Sequence, residues 1–452
     1  MKAFVPILCI LAATVHASIS RAETLGHGDG LTNLAAMLQQ RKDAESSRSS
    51  LTLEEVERIA LAVNPAIQVA ARRVAITEAH VPEAGALDDP SVMYRGWSIP
   101  LSQPWNFNQA QNMFSFGQAF PGRGKRALRG RVAQAGVAAA KADLDQVRLE
   151  VKVRVRKAFD DLLLTQEEMR IHDEHVGIAR QAIEAARIQY AAGRIPQQDI
   201  LKAQVALMQL TEHMIRFEQD AELARARLNT LLKRDPDSPL SVAGSLESSV
   251  QLPSLSQLQD VALQSRPDLV AARVAVEQSH TEQELARKSY LPDFAISAGY
   301  MLMPPGSNTR NNYMIEGQMN LPWLNRRKHD AEIAESQSKV TAQDAEMTAL
   351  QNAALGEIQE ALVEAKAAQR LVHLYHDDLR PQAESTLQAS LIAYANNKAD
   401  FLELLDSQMT LIDIDLKWLQ SSEEFSKRLA DLELAVGAPI AHTETPAAEV
   451  KP

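Results

Sequence analysis

Cysteine is almost missing from this chain of 452 residues, which contains a single one, Cys9. That residue lies within a mostly apolar stretch, Ala3 to Ile19, which follows Lys2 and precedes several small residues. This order is typical of a secretory signal peptide, so we predict that residues 1–22 are removed on export. The exported chain then has no thiol, which excludes cysteine catalysis, disulfide bonds and cysteine-ligated metal sites.

Long apolar runs, aromatic side chains and an excess of positive charge are missing as well. No run of 18 apolar residues follows residue 22, so the sequence predicts no transmembrane helix, and only a closed β-barrel could cross a membrane. The net charge of −11 argues against a nucleic-acid partner. Aromatics make up only 5% of the chain, and the abundance of Ala, Gln, Glu, Leu, Arg and Lys is typical of long helices and coiled coils.

What the chain does contain is an internal repeat. LTLEEVERIALAVNPAIQVAAR at residues 51–72 resembles LSQLQDVALQSRPDLVAAR at residues 255–273. Later matches keep a spacing of 204, including Tyr190 with Tyr394. Such a register indicates a duplication. We therefore predict five segments: the signal peptide, an N-terminal periplasmic segment at 23–52, a first repeat at 53–250, a second repeat at 251–440, and a flexible C-terminal tail at 441–452.

Each repeat predicts the same order of elements: a short helix ending before a proline, a second helix, two strands and two long helices. The predicted strands span residues 91–99, 112–120, 293–303 and 313–321, and the predicted long helices span residues 125–192, 198–234, 326–396 and 398–437. Apolar residues in the long helices step by three or four, as in a coiled coil, and Pro381 predicts a kink. At ~1.5 Å per residue the first long helix is ~100 Å long, which predicts an elongated rod rather than a globule.

The four predicted strands cannot form a barrel alone, because the smallest membrane barrels need about eight. An open strand edge in lipid leaves backbone N–H and C=O groups without partners, at a cost of several kcal/mol each. The sequence therefore predicts that other copies of the chain complete the barrel.

From Leu53 to about Pro439, the duplicated X-Pro step, the strand pairs and the tyrosine turns resemble the TolC family of outer-membrane efflux proteins. The resemblance implies a mainly α protein with membrane β-structure: four β-strands and long antiparallel coiled-coil helices per protomer. It implies a homotrimer with a twelve-stranded β-barrel in outer-membrane lipid and an α-helical periplasmic tunnel. It also implies two protein partners, a periplasmic adaptor (membrane fusion) protein and an inner-membrane RND pump.

One segment, FGQAFPGRGKRALRG at residues 116–130, is similar to channels paired with heavy-metal RND pumps and implies that the cargo is metal cations. Two alternatives stay open. The first is a channel of the same kind for drugs or organic solutes. The second is a periplasmic coiled-coil adaptor or scaffold, which would need lipoyl-like β modules that the sequence does not show.

No catalytic motif or cofactor site is predicted, so we do not expect an enzyme. Gly122 to Arg126 only loosely resembles a phosphate-binding loop, because the spacing of that motif is missing. We interpret the segment as a turn from strand to helix, with Lys125, Arg126 and Arg129 solvated near the membrane interface.

The candidate functional residues lie near the predicted turn at Asn397, where the family carries a glycine. Glu403 and Asp406 are spaced to share one face of a helix, and the resemblance implies that they line the periplasmic entrance, which Tyr394 helps to hold closed. Three copies of these carboxylates would attract cations. The alternative is an ordinary solvated helix face.

Two further sets of residues are weaker candidates. Glu316, Gln318 and Asn320 alternate with apolar residues in the last predicted strand and would face the barrel lumen. The pairs His172 and His175, and His373 and His376, have a helical spacing that could hold a transition metal. Because no carboxylate pattern completes such a site, we interpret them as solvated or inter-helical histidines.

Overall fold

The computed structural model describes residues 50–193, 195–246, 250–396, 398–399 and 401–440. The predicted signal peptide, most of the segment at 23–52, the C-terminal tail and the Asn397 turn residue lie outside the described residues.

The two halves of the chain have the same order of elements, except that the long helix after the strands is divided in the second half. The first half comprises α1 (Leu53–Val63), α2 (Pro65–Gly85), β1 (Ser91–Trp97), β2 (Gln111–Phe120), α3 (Lys125–Ala191) and α4 (Gln197–Leu231). The second comprises α5 (Leu255–Ser265), α6 (Pro267–Arg287), β3 (Phe294–Leu302), β4 (Asn311–Met319), α7 (Arg326–His373), α8 (Arg380–Ala395) and α9 (Phe401–Val436). A mainly α protomer with four strands is therefore confirmed.

The four strands form one antiparallel sheet in the order β1-β2-β3-β4. One cross-strand row runs through Val92, Phe116, Ala298 and Ile315, and side chains in such a row lie on the same face. This face is apolar and exposed in the protomer, with Val92 79% and Ile315 82% accessible. β1 and β4 are the outer strands of the sheet, so each leaves one side unpaired.

Each half is stabilised where a proline separates its first two helices. Asn64 caps α2 by accepting a hydrogen bond from the Ala66 N–H, and its side-chain amide donates to the Leu231 carbonyl at 3.1 Å. In the second half Arg266 donates to the Ala435 carbonyl, also at 3.1 Å. The two acceptors are 204 residues apart, so the same contact is made twice with different side chains.

α1 and α2 meet at a bend of 45°. Within the described ranges no helix alone has the length and apolar character to span a membrane, although this bent pair meets both criteria when taken together.

The long helix that follows the strands is continuous in the first half but interrupted in the second half. α7 ends at His373, residues Leu374–Leu379 form a π-helical turn, and Pro381 lies in the first turn of α8. Proline has no N–H and its ring clashes with the carbonyl four residues earlier in an α-helix. The interruption predicted at Pro381 therefore takes the form of a π-helical turn just before the proline.

The prediction that Lys125 is solvated is wrong. Its side chain is buried, and its ammonium donates to the Leu291 carbonyl at 2.9 Å and to the Asp293 carboxylate at 2.8 Å. The Gly122 N–H donates to the same carboxylate at 2.6 Å. These bonds join the end of β2 to the start of β3 and so fasten the two halves together where the sheet meets the helices.

Candidate functional site at the helical tip

The far ends of the long helices meet in one apolar cluster. It contains buried Ile183, Ala186, Ala203 and Phe401, with Tyr394 packed against them. The rings of Tyr394 and Phe401 lie edge to face with centroids 6.0 Å apart. Residues from both halves therefore bury each other at this tip, which holds the two helical hairpins together.

Tyr394 is positioned by packing rather than by a hydrogen bond. Its hydroxyl is buried and has no hydrogen-bond partner among the described residues. Burial raises the pKa of this phenol, and the nearby Asp199 carboxylate raises it further. The side chain is therefore neutral, and its hydroxyl retains a proton to donate.

Glu403 and Asp406 both lie exposed on the first two turns of α9. Asp406 lines a groove of about 510 Å³ between α4 and α9, together with Lys202 and apolar side chains such as Leu201 and Leu405. The structure thus places the two predicted carboxylates at the tip that Tyr394 packs into.

Two charged residues of the tip were missed by the sequence analysis. Asp199 and Lys202 lie 204 residues before Glu403 and Asp406, and they occupy the first turns of α4. Asp199 is buried, whereas Lys202 is exposed on the groove. The spacing of the repeat is the signal that could have found both. The tip therefore carries a positive charge opposite Asp406, and not carboxylates alone.

Two of the three candidates for the barrel lumen, Glu316 and Gln318, lie in β4. The sheet register puts Glu316 opposite Ser297 and Gln318 opposite Ala295, on the face opposite to Ile315. Asn320 lies beyond the end of β4, and its side-chain carbonyl accepts a hydrogen bond from the Asp293 N–H at 2.6 Å. Asn320 thus connects the end of β4 to the residue that precedes β3.

The four histidines occupy different environments. His172 is fully buried, and its Nε2 lies 2.6 Å from the Leu210 carbonyl of the neighbouring helix. Burial lowers the pKa of His172 and of His175. His373 and His376 are exposed, and both lie against the carboxylate of Asp377. Within the described ranges, no group of three or more His, Cys, Asp or Glu side chains is arranged to hold a metal ion.

Known proteins resemble the chain along most of its length. The family model described as "Outer membrane efflux protein" matches residues 57–233 and 258–438. The cobalt-zinc-cadmium resistance protein CzcC of Cupriavidus metallidurans is 24% identical over 372 residues, which cover 82% of this chain and 86% of that protein.

Solved structures show the same fold. A structure of CusC, described in terms of folding and transmembrane channel formation, superposes with a TM-score of 0.72 at 17% identity, covering 85% of this chain and 92% of that one. The open-state MtrE outer membrane channel of Neisseria gonorrhoeae gives 0.71 at 18% identity, with coverages of 85% and 89%. VceC, an outer membrane protein of Vibrio cholerae, gives 0.70 at 17% identity, with coverages of 86% and 97%.

Proposed function

Because this chain belongs to the outer membrane efflux protein family, we propose that it is the passive outer-membrane duct of a tripartite system that exports heavy-metal cations. The cargo is inferred mainly from one observation, the 24% identity over 372 residues to a protein named for cobalt, zinc and cadmium resistance. The proposed system also contains a periplasmic adaptor and an inner-membrane RND pump. No chemical step on the cargo is required of this chain.

The proposed functional unit is a homotrimer. Each protomer has two unpaired strand edges, β1 and β4, and an apolar face that is exposed when the protomer is alone. Unpaired backbone groups in lipid cost several kcal/mol each. Pairing β4 of one copy with β1 of the next removes both edges, and three copies would supply twelve strands.

The proposed path for cations ends at the tip. Glu403 and Asp406 are exposed beside the turn between α8 and α9, and a trimer would bring six of these carboxylates around one axis. Clustered charge of one sign raises the local concentration of counter-ions. Lys202 lines the same groove as Asp406 and would partly offset that field. We propose that this balance attracts cations without binding them tightly.

Deletion of the gene tests the cargo. We expect inhibitory concentrations of transition-metal ions such as Zn²⁺, Cd²⁺ and Co²⁺ to fall several-fold, and those of hydrophobic drugs to change little. Expression of the wild-type chain should restore metal resistance. A deletion that sensitises cells to hydrophobic drugs but leaves metal resistance intact would instead assign the duct to organic solutes.

A further inference from the structure

Positively charged residues surround the edge of the sheet at which it joins the helices. β1 and β3 begin at this edge after α2 and α6, whereas β2 and β4 end there before α3 and α7. All four junctions therefore lie at one level of the molecule. We call residues 121–131, 287–290 and 321–328 the junction belt.

The composition of the junction belt contrasts with that of the whole chain. Residues 121–131 contain five basic side chains and no acidic one, and residues 326–328 are Arg-Arg-Lys. The chain as a whole carries a net charge of −11. The positive charge is therefore concentrated at this level.

Some of these basic groups already have partners. Lys125 is paired with Asp293, Arg131 with Glu284 and Lys328 with Glu332. Arg126 donates two hydrogen bonds to the Gly85 carbonyl, at 2.9 and 2.8 Å. These basic groups are therefore engaged within the protomer.

Five exposed arginines of the junction belt make no ion pair among the described residues: Arg123, Arg129, Arg287, Arg326 and Arg327. Three of them, Arg123, Arg326 and Arg327, lie beside exposed apolar side chains. Of the nearby acids, Asp293 and Glu284 are paired with Lys125 and Arg131, and Asp330 accepts from the Tyr290 hydroxyl at 2.7 Å. Asp88 and Asp89 are the remaining exposed acids before β1.

Exposed apolar side chains lie directly beside these arginines. Trp323 and Leu324 precede Arg326 and are both exposed, Leu324 by 75%. Phe120, at the end of β2, is also exposed. An aromatic ring next to basic groups is typical of the boundary between hydrocarbon and headgroups of a bilayer.

We propose that Arg123, Arg326 and Arg327 bind the phosphate groups of anionic phospholipids in the leaflet nearest the helices. The inference rests on the proposed function, because it requires the sheet to span the outer membrane. The planar guanidinium matches the geometry of a phosphate and donates two hydrogen bonds at once. Trp323 and Leu324 would enter the acyl region while the arginines stay with the headgroups.

The test compares lipid binding by the purified trimer and two triple variants. Native mass spectrometry would count the phosphatidylglycerol and phosphatidylcholine molecules retained from mixed nanodiscs. The first variant is Arg123→Gln, Arg326→Gln, Arg327→Gln. The control variant is Arg58→Gln, Arg180→Gln, Arg370→Gln, which removes the same charge from exposed positions on the long helices and α1.

We expect the wild type and the control to prefer phosphatidylglycerol, and the belt variant to lose that preference roughly tenfold. Unchanged single-channel conductance would show that the variant is folded. Equal retention of both lipids by the wild type, or a preference that survives in the belt variant, would overturn the proposal. So would unchanged lipid binding with loss of adaptor binding, which would assign the belt to a protein. Failure of the wild type to insert into bilayers would overturn the proposed function as well.

Discussion

Two carboxylates share one ammonium group in the contact between α3 and α9. Lys427 is paired with Asp161 at 2.5 Å and also with Glu423. Burial raises the pKa of Glu423 to about 7, and Asp161 adds to the shift while Lys427 opposes it. Lys427 is shared with Asp161, which also pairs with Arg227 at 3.7 Å. The attraction of Lys427 does not offset the burial of Glu423, so Glu423 takes up a proton near neutral pH.

Replacement of Glu423 tests this pH dependence. The folded-state pKa lies above the unfolded value of 4.5, so the folded state holds an extra proton between these values. Stability then falls as pH rises from about 4.5 to about 7, by on the order of 1–3 kcal/mol. Glu423→Gln is neutral throughout. We expect its apparent Tm to match that of the wild type at pH 5 and to exceed it at pH 7.5.

Glu424→Gln provides the control, because it removes a neighbouring carboxylate that is half exposed and paired with Arg428. Its thermal curve should keep the pH dependence of the wild type. Parallel curves for Glu423→Gln and the wild type would show that Glu423 stays ionised in the fold.

The last helix of each half is followed by a residue with positive φ, but the two halves have different residue types there. Gly437, which follows the last residue of α9, has a φ of +78°, and the corresponding residue after α4 is Lys233, with a φ of +56°. A side chain at positive φ is strained by roughly 1–2 kcal/mol. Lys233 tolerates this strain in open surroundings, but Gly437 lies against the Arg266 backbone.

Gly437→Ala should therefore destabilise the protein more than an ordinary glycine replacement. A Cβ at this position would lie 2.6 Å from Arg266 Cα, so α5 and α6 must shift in addition to the backbone strain. Gly193→Ala is the matched control, since Gly193 also has a positive φ of 71° but nothing within 4 Å. We expect a loss of roughly 1–2 kcal/mol for the control and a clearly larger loss for Gly437→Ala, measured by denaturant unfolding. Equal losses would contradict the close contact.

The elements were largely predictable from the sequence because local rules determine them. Pro65 and Pro267 each occupy the first position of a helix, where proline is favoured. Alternation in the second half, and analogy with it for the first strand, located the strands to within about two residues. Partners across the molecule were not predictable. Nothing in the spacing of Arg156 indicates that it pairs, buried, with Glu433 at 3.2 Å, and nothing local indicates that Asp293 neutralises Lys125. At the tip, the sequence predicted Glu403 and Asp406 but not Asp199 and Lys202, because the latter two lie outside the motif that identified the former.

In the whole molecule, apolar packing draws the helices together at the tip, whereas repulsion between carboxylates acts against it. The apolar cluster around Tyr394 and Phe401 draws the two hairpins together. The carboxylates of Glu403 and Asp406 would repel their copies in a trimer, and repulsion between exposed charges is limited to about a Debye length. Lys202 opposes that repulsion from the other side of the groove.

Single-channel recordings on trimers in planar bilayers would measure this balance. Glu403→Gln with Asp406→Asn should lower cation selectivity and weaken block by multivalent cations. Lys202→Gln should do the opposite, because it removes the only basic side chain that lines the described groove. The double variant Asp344→Asn and Glu346→Gln removes two exposed carboxylates from α7 and controls for the change in net charge.

The dependence on salt distinguishes a local field from a change in structure. The Debye length is about 10 Å at 0.1 M salt and about 3 Å at 1 M. The effects of the tip variants should therefore be large at low salt and fade at high salt, whereas a rearranged pore would stay altered at both. Selectivity that is unchanged at low salt in Glu403→Gln with Asp406→Asn would place these carboxylates on an ordinary solvated face. The carboxylate variant and the Lys202 variant should shift cation selectivity in opposite directions, and both shifts should fade with salt. This result would show that the tip attracts cations through the excess of its carboxylates over Lys202.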